Sequence, residues 1–155
     1  MKKVNKELLS FVKEGFFKAG EAYATIRLFE ESLHAIWREL LHEFKDWGDF
    51  KPDLKNIRFN HSNRPYLGDW MVVFVNGIKI SDGKQREFQL EYGTHPQLRA
   101  AWRNDPKFFD YDAKNKEIEY ESSWSGVLYH TPESAENLDI KKMYKTLLKE
   151  ILRFV

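Results

Sequence analysis

Residues 70–92 read WMVVFVNGIKISDGKQREFQLEY, and this stretch decides the fold class. Trp70 to Val75 has no polar side, which predicts a central strand covered on both faces. From residue 85 the pattern alternates, with Phe88, Leu90 and Tyr92 facing one way and Glu87, Gln89 and Glu91 the other, as a half-buried strand requires. Between the two segments lie Asn76–Gly77 and Asp82–Gly83, both strong hairpin pairs; either can turn the chain while the other bulges a strand. Each choice makes the two strands antiparallel neighbours.

Upstream, Ile57, Phe59 and His61 alternate with Arg58 and Asn60, predicting a further strand joined to residue 70 through a connection rich in Asn, Pro and Gly. Before it, Ala22, Ile26, Phe29, Leu33, Ile36, Trp37, Leu40, Leu41 and Phe44 recur at helical intervals, a helix of about six turns. Residues 3–18 predict an earlier helix through Val4, Leu8, Phe11, Val12 and Phe16, ended by Gly20. Downstream, Thr94 and Gln97 have capping-box spacing and Pro96 suits a first turn, so a short helix is expected through Arg103. Residues 116–122 and 126–130 predict one or two more strands, and Asp139 caps a last helix with Ile140, Tyr144, Leu147, Leu148, Ile151 and Leu152 on its apolar face. The expected class is α+β: two N-terminal helices, a mostly antiparallel sheet of four to five strands interrupted by a short helix, and a C-terminal amphipathic helix.

A length of 155 residues suits a single domain spanning 1–155. Lys and Arg number 25 against 24 Asp and Glu, so a net charge of +1 supplies no field for nucleic acid or an anionic membrane. The absence of cysteine excludes disulfides, thiolate metal sites and cysteine nucleophiles. After Lys2 and Lys3 no nearby apolar stretch is longer than the two residues Phe11–Val12, and no run approaches a membrane span, so no leader or membrane partner is expected and the expected location is cytoplasmic. Aromatic residues are abundant: twelve Phe, seven Tyr and five Trp.

Over roughly residues 21–155 the element order resembles two groups. It looks like the helix, three-strand, helix, two-strand, helix order of secretion-chaperone-like proteins, and it is similar to the core of restriction-endonuclease-like nucleases. The second resemblance implies an Asp opening the second strand and an acidic residue, one spacer and a Lys on the third, the carboxylates holding Mg²⁺ and the Lys serving the attacking water. Asp69, Glu87 and Gln89 stand at those positions, with Glu39 or Glu43 as a possible addition from the helix. Gln89 departs from the pattern, since an amide orients water without supplying positive charge.

Other chemistry is sparse. Glu87 and Glu91 share one strand face, and Glu117, Glu119 and Glu121 another, at a spacing too wide for neighbours on one strand to share a metal; solvated faces or a patch for a basic partner both fit. His34 and His42 lie two helical turns apart and cannot ligate one ion, while His95 and His130 stand at element ends where an imidazole can act as a base. No nucleophile elbow or phosphate-binding glycine loop is present. The aromatic residues Tyr66, Trp70, Trp102, Phe108, Phe109, Tyr111, Trp124 and Tyr129 gather near loops and strand ends, where they would either plug the core or line a binding groove.

The expected function is a non-catalytic protein-binding or adaptor protein of chaperone, inhibitor or immunity type, using those aromatics beside an acidic strand face and needing no cofactor. A Mg²⁺-dependent nuclease through Asp69, Glu87 and Gln89 is the alternative, and the only reading with a nucleic-acid partner. A nucleotide or small-molecule sponge is the third reading. The nearly heptad seam of the long helix also suits a homodimer, or a helix lying on its own sheet.

Overall fold

The computed structural model describes residues 6–60, 71–93, 97–103, 115–121, 127–136 and 138–155. Its internal contacts define two compact units, Met1–Ala35 and Ile36–Val155, with the division inside a helix.

That helix, α1, runs from Lys6 to Glu43 without interruption. The expected pair of helices is therefore one. Gly15 and Gly20 sit within it, each with open space where a side chain would project. A glycine inside a helix costs about 1 kcal/mol relative to alanine. Ala19, Ala22 and Ala24 around Gly20 are the strongest helix formers and offset that cost, and no proline or left-handed residue stands nearby to end the turn. The first unit consists of this helix up to Ala35.

In the second unit, α1 ends as Phe44 donates its amide to Leu40 O at 2.9 Å, and Gly48 follows with a positive φ of 59°. Seven strands are seen among the described residues: β1 (Phe50–Pro52), β2 (Arg58–Asn60), β3 (Met71–Lys79), β4 (Gln85–Gly93), β5 (Gln97–Arg103), β6 (Glu119–Glu121) and β7 (Val127–His130). The sheet order is β1-β3-β4-β5-β7-β6, and every pairing is antiparallel. β2 also pairs with β3, its residues opposite Val72 to Phe74 while those of β1 lie opposite Gly77 to Lys79. Together β1 and β2 act as one edge strand broken between Asp53 and Ile57, where Asp53 accepts from the Asn56 side chain at 2.7 Å.

The hairpin of residues 70–92 is turned at Asp82–Gly83. Gly83 has φ 67°, its amide donates to Lys79 O at 2.9 Å, and Lys84 N donates to Asp82 Oδ1 at 2.8 Å. Asn76 and Gly77 lie instead in the body of β3, opposite Glu87 and Arg86. Gly77 is required there because the Phe50 ring and the Lys51 carbonyl occupy the space a Cβ would take.

Residues 97–103 correct the expected short helix: they form β5, between β4 and β7. Ala, Leu and Arg favour helix intrinsically, but backbone pairing with β4 on one side and β7 on the other, with Leu98, Ala100 and Trp102 buried, overrides propensity. The middle helix shared by both resemblances of element order is thus a strand, and the sheet exceeds the four to five strands expected.

The chain ends in α2 (Ile140–Ile151), followed by a 3-10 turn at Leu152–Phe154. Asp139 caps it, accepting from Lys142 N at 3.0 Å. Tyr144, Leu147, Leu148 and Ile151 are buried along its inner side. They join Trp37, Leu40 and Leu41 of α1 and the strand residues Val73, Val75, Phe88, Leu90, Ala100 and Leu128 in one core on one face of the sheet.

Candidate functional site

Three places in the described residues were candidates for function: the second face of the sheet, opposite the Val73, Phe88 and Leu90 side, a cleft beside α2, and the exposed part of α1.

On this second face, which also carries the buried Val72, Ala101 and Val127, alternation puts Arg58, Phe74, Glu87, Gln89, Glu91, Arg99 and Tyr129 on the same side of neighbouring strands. Arg58 lies over the Phe74 ring, 5.3 Å from its centroid, and bridges to Glu87. Glu91, only 5% exposed, accepts from the Gln89 amide and faces Arg99 Nε at 3.6 Å. Of the acidic residues expected as a patch, Glu87 and Glu91 are thus balanced by arginines from adjacent strands. Glu87 and Glu91 are four residues apart, about 13 Å along a strand. They cannot close on one cation.

The nuclease set is accordingly seen in part: Glu87 and Gln89 share the face, Glu87 holds a guanidinium, and Asp69 lies outside the described residues. Glu39 and Glu43 are placed elsewhere, both binding Lys141, at 2.5 and 2.7 Å. Those hydrogen bonds hold the Glu43 carboxyl below its usual range and the Lys141 ammonium above its own. Among the described residues no group of three or more His, Asp or Glu is arranged to hold a metal ion.

The cleft has a volume of about 1010 Å³, between the first turns of α2 and residues 115–118, with Ile36 at its margin. His130 lines it together with Glu117, Asp139, Lys141 and Lys142. The Nδ1–H of His130 donates to Glu117 O at 2.5 Å, leaving Nε2 as the nitrogen able to accept a proton. The anchor is a main-chain carbonyl rather than a carboxylate, so this is not the Asp–His pairing that activates a nucleophile. Of the other histidines, His34 is buried and His42 exposed with Nδ1 2.8 Å from Arg38 O; His95 lies outside the described residues.

The aromatic residues divide sharply. Trp102 is 2% exposed, its ring centroid 5.5 Å from Phe50 and 5.7 Å from Phe88. Its indole N–H donates to Ile151 O at 2.8 Å, satisfying one of the carbonyls left over at the end of α2. Trp47 joins the same cluster, 4.9 Å from Phe44 and 6.1 Å from Phe88. These rings plug the core. Tyr129 is half-buried on the second face of the sheet, opposite Arg99. Tyr66, Trp70, Phe108, Phe109, Tyr111 and Trp124 lie outside the described residues, as do Ser122, Ser123 and Ser125.

Most of the large exposed apolar side chains among the described residues are on α1, with Ile78 and Ile80 exposed elsewhere. Val12, Phe16, Phe17, Tyr23, Ile26, Leu28 and Phe29 are all exposed, Phe16 by 67% and Phe17 by 80%. At 3.6 residues per turn, Val12, Phe16, Ala19, Tyr23 and Ile26 form one stripe, Phe29 borders it, and Phe17 and Leu28 lie on the far side. The stripe follows alternating steps of four and three residues and continues in register through Glu30 to Leu33, Trp37, Leu40 and Phe44, all buried from Leu33 onward. No described helix is long and apolar enough to cross a membrane. The chain matches no protein-family model, no curated protein and no solved structure.

Proposed function

We propose that the protein is a non-catalytic protein-binding or adaptor protein whose recognition element is the apolar stripe of α1. The observation that carries this reading is the set of large apolar side chains left in water along residues 12–29. A scattered exposed Leu needs no explanation, but a contiguous stripe of aromatic and branched residues marks an association surface. The pairing of Glu87 and Glu91 with arginines, and the anchoring of His130 on a carbonyl, support the non-catalytic part of the reading. Chaperone, inhibitor and immunity-type roles share this chemistry.

The test compares the proteins retained by the tagged wild-type chain with those retained by a Phe16→Glu/Ile26→Glu variant of equal helicity. Loss of specific retention is expected, and an unchanged set refutes the stripe as the binding element. Metal-dependent cleavage of DNA or RNA that disappears in Asp69→Asn would instead establish the nuclease reading.

A further inference from the structure

We infer that the partner of the α1 stripe is a second copy of this chain, bound antiparallel over residues 12–30 with the two-fold axis near Glu21. The inference rests on the proposed binding role of the stripe and names its occupant.

The steps of four and three residues place Val12, Ala19 and Ile26 at heptad position d and Phe16, Tyr23 and Glu30 at position a. A seam of this repeat is complementary to another helix of the same repeat. Area fits as well. At their exposures, Val12, Phe16, Tyr23, Ile26 and Phe29 leave about 600 Å² in water. Two copies covering each other's stripe completely would remove at most about 1,200 Å², the lower end of stable interfaces.

The antiparallel direction follows from sizes and charges. With Glu21 at the axis, Phe16 meets Ile26 of the second copy and the small Ala19 meets the large Tyr23. The flanking Phe29 falls beside Gly15, which has open space around it. Ala22 and Gly20 each approach their own copies at the axis, where small residues let the backbones close. Glu30, the one charge in the seam, lies next to Lys13 of the second copy.

A parallel, in-register pair would set Glu30 against Glu30 inside the seam, where like charges are costly. Its flanking positions, Leu8, Lys13, Gly15, Gly20, Ala22, Arg27 and Phe29, contain no acidic residue to make compensating bridges. The antiparallel pair sets Glu30 across from Val12 at the outer end of the seam, next to Lys13, and has one like-charge neighbour, Arg27 beside Lys13 of the second copy. Both are long side chains at the wet margin, where repulsion is weak, whereas Glu30 is in the seam.

Sedimentation equilibrium on the full chain is expected to give a dimer in the micromolar range, and Ile26→Glu to raise the dissociation constant by about tenfold or more. Lys13→Glu and Glu30→Lys should each weaken the dimer, and the double exchange should restore it, because the pair reforms with its signs swapped. A short bismaleimide should link Gly20→Cys chains and fail on Lys13→Cys chains, whose thiols would be about 24 Å apart along the axis. A monomer at every concentration overturns the inference, as does a dimer that the double exchange fails to restore or that links through position 13. If the wild type is monomeric while the Phe16→Glu/Ile26→Glu variant still loses a retained protein, the second copy is refuted and the binding role of the stripe stands.

Discussion

Truncating Trp102 to alanine measures whether this residue belongs to the core or to a binding surface. Its side chain is almost wholly buried, stacked at an edge against Phe50 and Phe88, and its N–H holds Ile151 O at 2.8 Å. Removing a buried tryptophan ring costs about 3–5 kcal/mol, because transfer energy is lost and the cavity relaxes only in part. Trp102→Phe keeps most of the ring but removes the hydrogen bond to Ile151 O and part of the packing, at a cost of about 1–3 kcal/mol. With a urea slope of about 2 kcal/mol per molar, the midpoint should fall by about 2 M for alanine and about 1 M for phenylalanine. Urea titration followed by far-ultraviolet circular dichroism reads both. If alanine moves the midpoint by less than about 0.5 M, Trp102 is no tie between β5 and α2, and the packing argument fails.

Gly77→Ala should lower stability by about 2 kcal/mol or more in the same titration, since its Cβ would collide with the Phe50 ring and the Lys51 carbonyl. Glu91→Ala should cost about 3 kcal/mol by leaving the Arg99 guanidinium poorly balanced in a nearly closed site, and Glu91→Leu/Arg99→Met should recover much of it. Burial holds the Tyr144 phenol neutral well above its usual range. A phenol whose folded pKa is raised contributes stability that is complete below its unfolded value of about 10 and is lost as pH climbs beyond it. Tyr144→Phe removes the hydrogen bond to Glu91 O, costing about 1 kcal/mol near neutrality. It should also flatten the alkaline limb of the stability profile.

The hairpin at the centre of the sheet was legible because strands buried on one or both faces have few other patterns available. The role of Asn76–Gly77 was not, since its glycine answers to Phe50, more than twenty residues away in the chain. Residues 97–103 misled for a related reason: Thr94, Pro96 and Gln97 compose a convincing helix start, and only the neighbouring strands make the two-residue alternation decisive. The single long helix was in principle readable. The steps of four and three residues pass through Gly20 without a break, and that register outweighs one glycine. Of the candidate site residues, Glu87 and Gln89 were correctly placed on one face, but the Arg58 and Arg99 partners come from strands whose order no local pattern specifies. Trp102 illustrates the limit of composition: an aromatic surplus does not say which rings are inside.

The edge strands have a consequence for how copies of the chain meet. Among the described residues, one margin of the sheet offers its backbone hydrogen-bonding groups from β1 and β2 and the other from β6, each three residues long. Such short segments, one margin interrupted at Asp53–Ile57 and the other bearing Glu119, are poor templates for a visiting strand. Open-ended growth by strand addition is thereby discouraged. Contact through a helix, by contrast, closes after two copies when the symmetry is two-fold. The sheet margins would then restrict the chain to finite assemblies, even at concentrations where so much exposed aromatic surface would otherwise promote precipitation.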